Sequence, residues 1–276
     1  MRLFATLCVA LCAVASGVRP APPLTADQIA RKVQDRNTGR DSRAELRMQL
    51  FDRRGRARER AMTLLTLRGR DTALPAGASA KAGPDGDRLL IRFTYPNDIR
   101  GTGFLVWKHP KDEDERFLYL PSLGRVRRIA GSEAQESFVG SDFSYEDIGG
   151  RELDDYTYAL LDDHATWTGA DGPPRAAYRL ESRRKDTSVE FPRTVSLVLE
   201  DTFVVVQADV FNRRDEKQKV YTVRRLQQVQ GIWTVFESAM TNDLEKTRTE
   251  LAVGKIAYNT GLKEDAFSRR ELEGGK

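Results

Sequence analysis

Along most of this chain apolar and polar positions alternate with a period of two, which predicts a mainly β fold. Ala44, Leu46, Met48 and Leu50 alternate with Glu45, Arg47 and Gln49, the pattern of a strand with one buried face. Residues 61–67 return as its hairpin partner after a turn at Gly55, and the arginines of residues 53–60 face water around that turn. Leu89, Ile91, Phe93 and Tyr95 mark one side of a strand over residues 88–95, which Pro96, Asn97 and Asp98 end. Residues 103–107 and 117–120 differ, because both of their faces are apolar. A sheet with one wet side does not need such strands. Either both faces are covered, or one of them meets a hydrophobic ligand. Leu105, Trp107, Leu118 and Leu120 are therefore the candidates to line a trough. Further strand-length runs follow at 156–161, 176–183, 194–199, 203–211, 219–226, 233–240 and 247–256, with short turns at 212–216 and at Gln230-Gly231. The sum is roughly a dozen antiparallel strands, enough to curl into a barrel or half-barrel or to split into a sandwich.

Two stretches break the alternation. Residues 24–36 read as an amphipathic helix, with Thr25 as N-cap and Ile29 and Val33 four apart. Residues 131–150, GSEAQESFVGSDFSYEDIGG, sit between the two blocks of strands. Ser132 and Gln135 read there as a capping box, Gly140 as a helix stop, and Ser141 or Asp142 as the cap of a second short helix ended by Gly149. Phe138, Val139, Phe143, Tyr145 and Ile148 give these turns an apolar side too large for a free loop. The stretch is either an ordinary connection that carries aromatics or a lid packed over a sheet. In the lid reading Phe138, Phe143 and Tyr145 face a cavity. The strand before it, residues 125–129, carries Arg125, Arg127 and Arg128, and at least one of these is expected to pair with Asp142, Glu146 or Asp147.

The first residues stand outside the fold. Arg2, the apolar run 3–14 and the small residues Ala13 and Ala15 read as a signal peptide over residues 1–15, followed by a proline-rich spacer over 16–23. A single domain is expected over 24–276, with a loose surface loop at 69–86. Cys8 and Cys12 lie inside the leader, so the mature chain is expected to hold neither disulfides nor thiolates, and neither Cys has a small residue before it as a lipid anchor requires. The expectation is an exported protein, soluble and not lipid-anchored. The formal charge of +4 balances 45 basic residues against 41 acidic ones, a solvated surface and no nucleic-acid footprint.

Candidate chemistry is sparse. His109 lies in the charged loop 108–116 and His164 in an Asp-rich turn. The acid run 112–115 lacks the interspersed spacing and glycine of a calcium loop. Neither a nucleophile elbow nor a phosphate or dinucleotide loop appears in the required context. No enzyme, cofactor or metal is expected.

Residues 98–105 (DIRGTGFL), Tyr119-Leu120-Pro121, residues 125–129 (RVRRI), residues 137–147 (SFVGSDFSYED), Gly231-Ile232-Trp233 and Tyr258-Asn259-Thr260-Gly261-Leu262 resemble, in that order and spacing, the bacterial outer-membrane lipoprotein-sorting proteins, in a LolA-like branch. That resemblance runs from the first helix to the end of the chain. It implies a periplasmic protein with an unclosed β-barrel, or half-barrel, capped by helices, whose cavity holds acyl chains of a lipid or lipoprotein. It also implies partners in a transmembrane exporter and an outer-membrane acceptor. Two other classes stay open on the residues themselves: a lipid hydrolase using the Ser- and Asp-rich lid, and a non-catalytic structural or adhesive β protein.

Overall fold

In a computed structural model, residues 23–69, 84–110, 112–170 and 172–274 are described. The leader, most of the spacer and residues 70–83 of the expected surface loop lie outside them. Thirteen strands form one antiparallel sheet that does not close. In chain order they are β1 (Asp41–Phe51), β2 (Ala57–Leu67), β3 (Arg88–Tyr95), β4 (Gly103–Trp107), β5 (Glu115–Leu120), β6 (Arg125–Ile129), β7 (Tyr156–Trp167), β8 (Arg175–Arg184), β9 (Arg193–Leu199), β10 (Val205–Phe211), β11 (Lys217–Val229), β12 (Ile232–Asn242) and β13 (Thr247–Tyr258). Helices α1 (Ala26–Asp35), α2 (Tyr145–Gly149) and α3 (Arg269–Leu272) flank the sheet. The expected mainly β, open half-barrel is what forms.

Its topology decides where everything else sits. Strands β1 to β6 step outward in one direction and β7 to β13 return from the other side, so the first strand pairs with the last. Ser42 stands opposite Tyr258, and a bulge at Glu45/Leu46 accommodates the extra residue Gly254. The two free edges are therefore β6 and β7, neighbours in sequence at opposite ends of the sheet. Residues 130–155 join them, so this one connection must cross the open side of the half-barrel.

Tight turns set the hairpin registers. Asp52 accepts the backbone N–H of both Arg54 and Arg56 through Oδ1, closing the β1–β2 turn at Gly55, whose φ is +75°. Gln230 and Gly231 both hold positive φ, the two-residue turn whose twist suits a hairpin. Helix α1 starts in a full capping box, Thr25 with Gln28, and lays Ile29 and Ala30 on Leu180 and Val198.

Strands β3 to β5 are covered on both faces. On the concave face Ile91, Phe93, Phe104, Val106 and Leu118 pack with Phe138 and Tyr145. On the convex face Leu90, Leu105 and Phe117 pack under Leu262, Phe267 and Leu272 of the C-terminal segment. Trp107 joins that convex cluster, and its Nε1–H donates to the Phe267 carbonyl oxygen at 2.7 Å. A Cβ on Gly103 would come within 2.6 Å of Leu272 Cδ1, so only glycine lets this strap sit down on β4. The apolarity of β4 and β5 on both faces thus has two separate covers.

Candidate functional site

The segment between the two sheet edges is built from single turns. The first, Gly131–Glu133, is closed by Glu133, whose carboxylate accepts the Ala130 N–H, and not by Ser132. Gln135 instead reaches across to the strand-entry loop and exchanges two hydrogen bonds with the Phe191 backbone, at 3.0 and 3.1 Å. The second turn, Phe138–Gly140, carries Val139 at φ +49°, a left-handed conformation that a β-branched residue rarely takes. Arg60 on β2 fastens it by donating to the Val139 carbonyl oxygen. Helix α2 is capped by Ser144 with Asp147, not by Ser141 or Asp142. Asp142 is occupied elsewhere: its carboxylate accepts the hydroxyls of Thr247 and Thr249, both on β13, and Lys219 donates to its carbonyl oxygen.

Glu146 sits in a buried knot. It accepts Arg184 Nη1 and the Tyr156 hydroxyl, each at 2.8 Å, while Arg184 also reaches Asp155 at 2.8 Å. Burial pushes the Tyr156 phenol far above its ordinary pKa, and burial pushes Tyr158 up to about 12. Burial opposes the charge on Arg151, but Tyr156, Asp147 and Glu146 around it more than offset that and hold its proton more tightly than usual.

The arginines of β6 do not pair with Asp142, Glu146 or Asp147. Arg127 pairs with Glu133 at 2.6 Å, and Arg125 and Arg128 are exposed, with no ion pair among the described residues. β6 is an edge strand, and exposed charge on an edge blocks pairing with another chain. Glu146 takes its partner from β8, and Asp147 takes Arg151 at 3.7 Å.

Under this segment lies an apolar cavity of about 500 Å³. Its floor is the concave face of β8 to β12, with Leu180, Val198, Ala208, Val210, Val235 and Met240. Ala30, Val33 and Arg36 from α1 and its C-cap wall one side, and Phe143, Ile148 and Leu153 close the top. Of the residues expected to face a cavity, Phe143 does, its ring 6.3 Å from that of Tyr221. Glu146 and Asp147 also reach the wall. Leu118, Leu120, Phe138 and Tyr145 lie in the packed concave cluster, where Phe138 is 5.4 Å from Phe104 and 5.7 Å from Tyr145. Leu105 and Trp107 lie on the convex face under the C-terminal strap.

Two other hollows carry more charge. A groove of about 1340 Å³ on the convex face is larger but lies open and has a mixed lining, with Arg43, Glu45, Arg92 and Lys255 beside Leu90 and Phe236. A hollow of about 520 Å³ at the seam between the sheet edges is lined by charges such as Asp114, Arg116, Glu152 and Asp155. Among the described residues there is no group of three or more His, Cys, Asp or Glu side chains placed to hold a metal, and no helix is long and apolar enough to cross a membrane.

A family model described as an uncharacterized protein matches residues 85–274, more than half of the chain. The chain belongs to this family. A solved domain from Vibrio parahaemolyticus, named as an outer membrane lipoprotein-sorting protein domain, is similar at 28% identity and a TM-score of 0.75, over 90% of this chain and 97% of that one. A DUF1329 family protein from Desulfovibrio piger is similar at 28% identity and a TM-score of 0.74, over the same shares, 90% and 97%. A LolA superfamily protein from Nitrosomonas europaea shares the fold, with 15% identity and a TM-score of 0.63 over 89% of this chain and 98% of that one. No curated protein matches the chain. The expected resemblance to the lipoprotein-sorting proteins, in a LolA-like branch, is therefore what the solved structures show.

Proposed function

We propose that this LolA-like protein is a periplasmic carrier. In this reading the leader over residues 1–15 exports it, and the domain from residue 24 onward binds acyl chains of a lipid or lipoprotein. It passes them from a transmembrane exporter towards an outer-membrane acceptor. One observation carries the reading: an apolar cavity of about 500 Å³ lies beneath the one segment that spans the open side of the sheet. That volume falls within the roughly 300–1,000 Å³ of small-molecule sites. An acyl chain gains about 0.8 kcal/mol for each methylene it buries there and asks for little hydrogen bonding. The similarity to the Vibrio lipoprotein-sorting domain adds support.

The lid hydroxyls favour a carrier over a hydrolase. Ser137 donates to the Ser141 carbonyl oxygen, Ser141 to that of Phe143, and Ser144 caps α2. Each is spent on local structure, and no histidine stands beside them as a base: His109 faces Glu115, and His164 lies beside Asp163.

The test begins with protein purified from its native host and extracted into organic solvent for mass spectrometry. Lipid in the extract is the expected result. Hydrogen exchange over residues 131–150 should then slow when lipid is added to stripped protein. A lipid-free extract, combined with no uptake of a fluorescent fatty acid, overturns the carrier. Product released from a labelled lipid would make the protein a hydrolase instead.

A further inference from the structure

One residue on the cavity wall is out of keeping with the rest. Arg36 follows α1 as its C-cap residue and lines the cavity. Among the described residues its side chain makes a single long hydrogen bond, Nη1 to the Trp233 carbonyl oxygen at 3.5 Å. A guanidinium carries five N–H donors, so most of this one is unused. No carboxylate among the described residues lies within ion-pair distance of it. The charged group nearest in the chain's electrostatics is another arginine, Arg68, which donates to the Arg36 backbone oxygen at 2.6 Å. Burial pulls the Arg36 pKa below its ordinary value, the phenols of Tyr258 and Tyr221 counter this, and Arg68 adds to the lowering.

The other cations on the same wall are different. Lys108 stands 3.7 Å from Asp114, and Arg151 stands 3.7 Å from Asp147. Both acids of the lid that reach the cavity are also engaged, Glu146 by Arg184 and Tyr156, and Asp147 by Ser144 and Arg151. The cavity therefore contains one half-buried positive charge with no countercharge among the described residues. A cation in a partly desolvated site is costly unless it is paired, and its planar fork matches a carboxylate or phosphate in two parallel bonds.

We propose that the cargo is an amphiphile with an anionic head, a carboxylate or phosphate, seated against Arg36 with its tail in the cavity. The proposal rests on the carrier reading and adds the chemistry of the head to it. Tyr221 and Ser238, also on the wall, border the same polar end.

The test uses displacement of a neutral fluorescent probe, N-phenyl-1-naphthylamine, from the full mature chain. Two matched pairs of competitors are compared below their micelle concentrations. Oleate is set against oleyl alcohol, and 1-oleoyl lysophosphatidic acid against 1-monoolein. Wild type should bind the anion of at least one pair about tenfold more tightly than its neutral partner. Whichever pair shows the difference identifies the head as carboxylate or phosphate. Arg36→Gln should bring that ratio close to one by weakening the anion far more than the neutral competitor, and Arg36→Lys should keep part of it. Equal affinity within both pairs for wild type overturns the anionic head and leaves the carrier standing. No displacement by any competitor overturns both. An Arg36→Gln protein that is folded by circular dichroism yet keeps the anion preference also overturns the assignment. Should that variant fail to fold, the wild-type ratios and Arg36→Lys still decide.

Discussion

The two halves of the concave face are made from the same sheet and the same alternation, yet one is solid and the other hollow. Over β2 to β5 the inward residues include Met62, Ile91, Phe93, Phe104 and Leu118, and Phe138 and Tyr145 come down from the crossing segment to fill what remains. Over β8 to β10 the inward residues include Ser182, Thr194, Ser196, Val198, Ala208 and Val210, and Phe143, Ile148 and Leu153 roof the space from above without filling it. The alternation of apolar and polar positions makes the sheet in both places. Side-chain volume then decides between core and cavity, because packed interiors tolerate few voids and a row of small residues leaves one.

The comparison breaks most visibly at Phe138. It is fully buried, in ring contact with Phe93, Phe104 and Tyr145. Phe138→Ala is expected to cost about 3–5 kcal/mol in urea unfolding, the usual range for a buried aromatic, and to leave the intrinsic affinity of the folded protein for an apolar probe nearly intact. An intermediate effect is expected at the seam. Asp142→Ala removes the acceptor for two threonine hydroxyls and leaves Thr249 fully buried without it. A loss of about 2 kcal/mol should follow, with faster hydrogen exchange over residues 131–150 than over β1 and β13. The smallest change in stability is expected in the hollow half. Ala208→Phe places a ring in existing space, so the unfolding midpoint should move by less than about 1 kcal/mol, against the 1–3 kcal/mol of overpacking a filled core. Probe binding should nevertheless fall at least tenfold. If Ala208→Phe unfolds the protein while Phe138→Ala does not, the two halves have been assigned the wrong way round.

Most strands were legible because their alternation is local. The Thr25 cap, the Gly55 turn and the Gln230-Gly231 turn were legible for the same reason. What escaped was non-local. Asp142 looks like a helix cap until β13 supplies Thr247 and Thr249, more than a hundred positions away. Glu146 looks like a partner for the nearby arginines until β8 supplies Arg184. The double-sided apolarity of β4 and β5 pointed to a trough because nothing in those strands reveals that residues 262–272 return to cover one side. The true cavity did leave a trace: the run of Thr, Ser, Val and Ala at inward positions of β9 and β10, against Phe and Leu in β3 to β5. That trace lies in residue size, which a count of apolar and polar positions does not record.

The pairing of the first strand with the last also has a kinetic consequence. Within β1–β6 and within β7–β13 up to that seam, every strand pairs with its sequence neighbour. Such hairpins close small loops and form early, whereas Ser42 meets Tyr258 only after nearly the whole chain has been gathered. Residues 131–150 depend on both meanders, being held by Arg60 on β2, Thr247 and Thr249 on β13, and Arg184 on β8. The cover therefore settles only once the seam has formed. Through the late stages of folding the hollow half stays roofless, and a newly made chain passes through an open-mouthed form before it first closes.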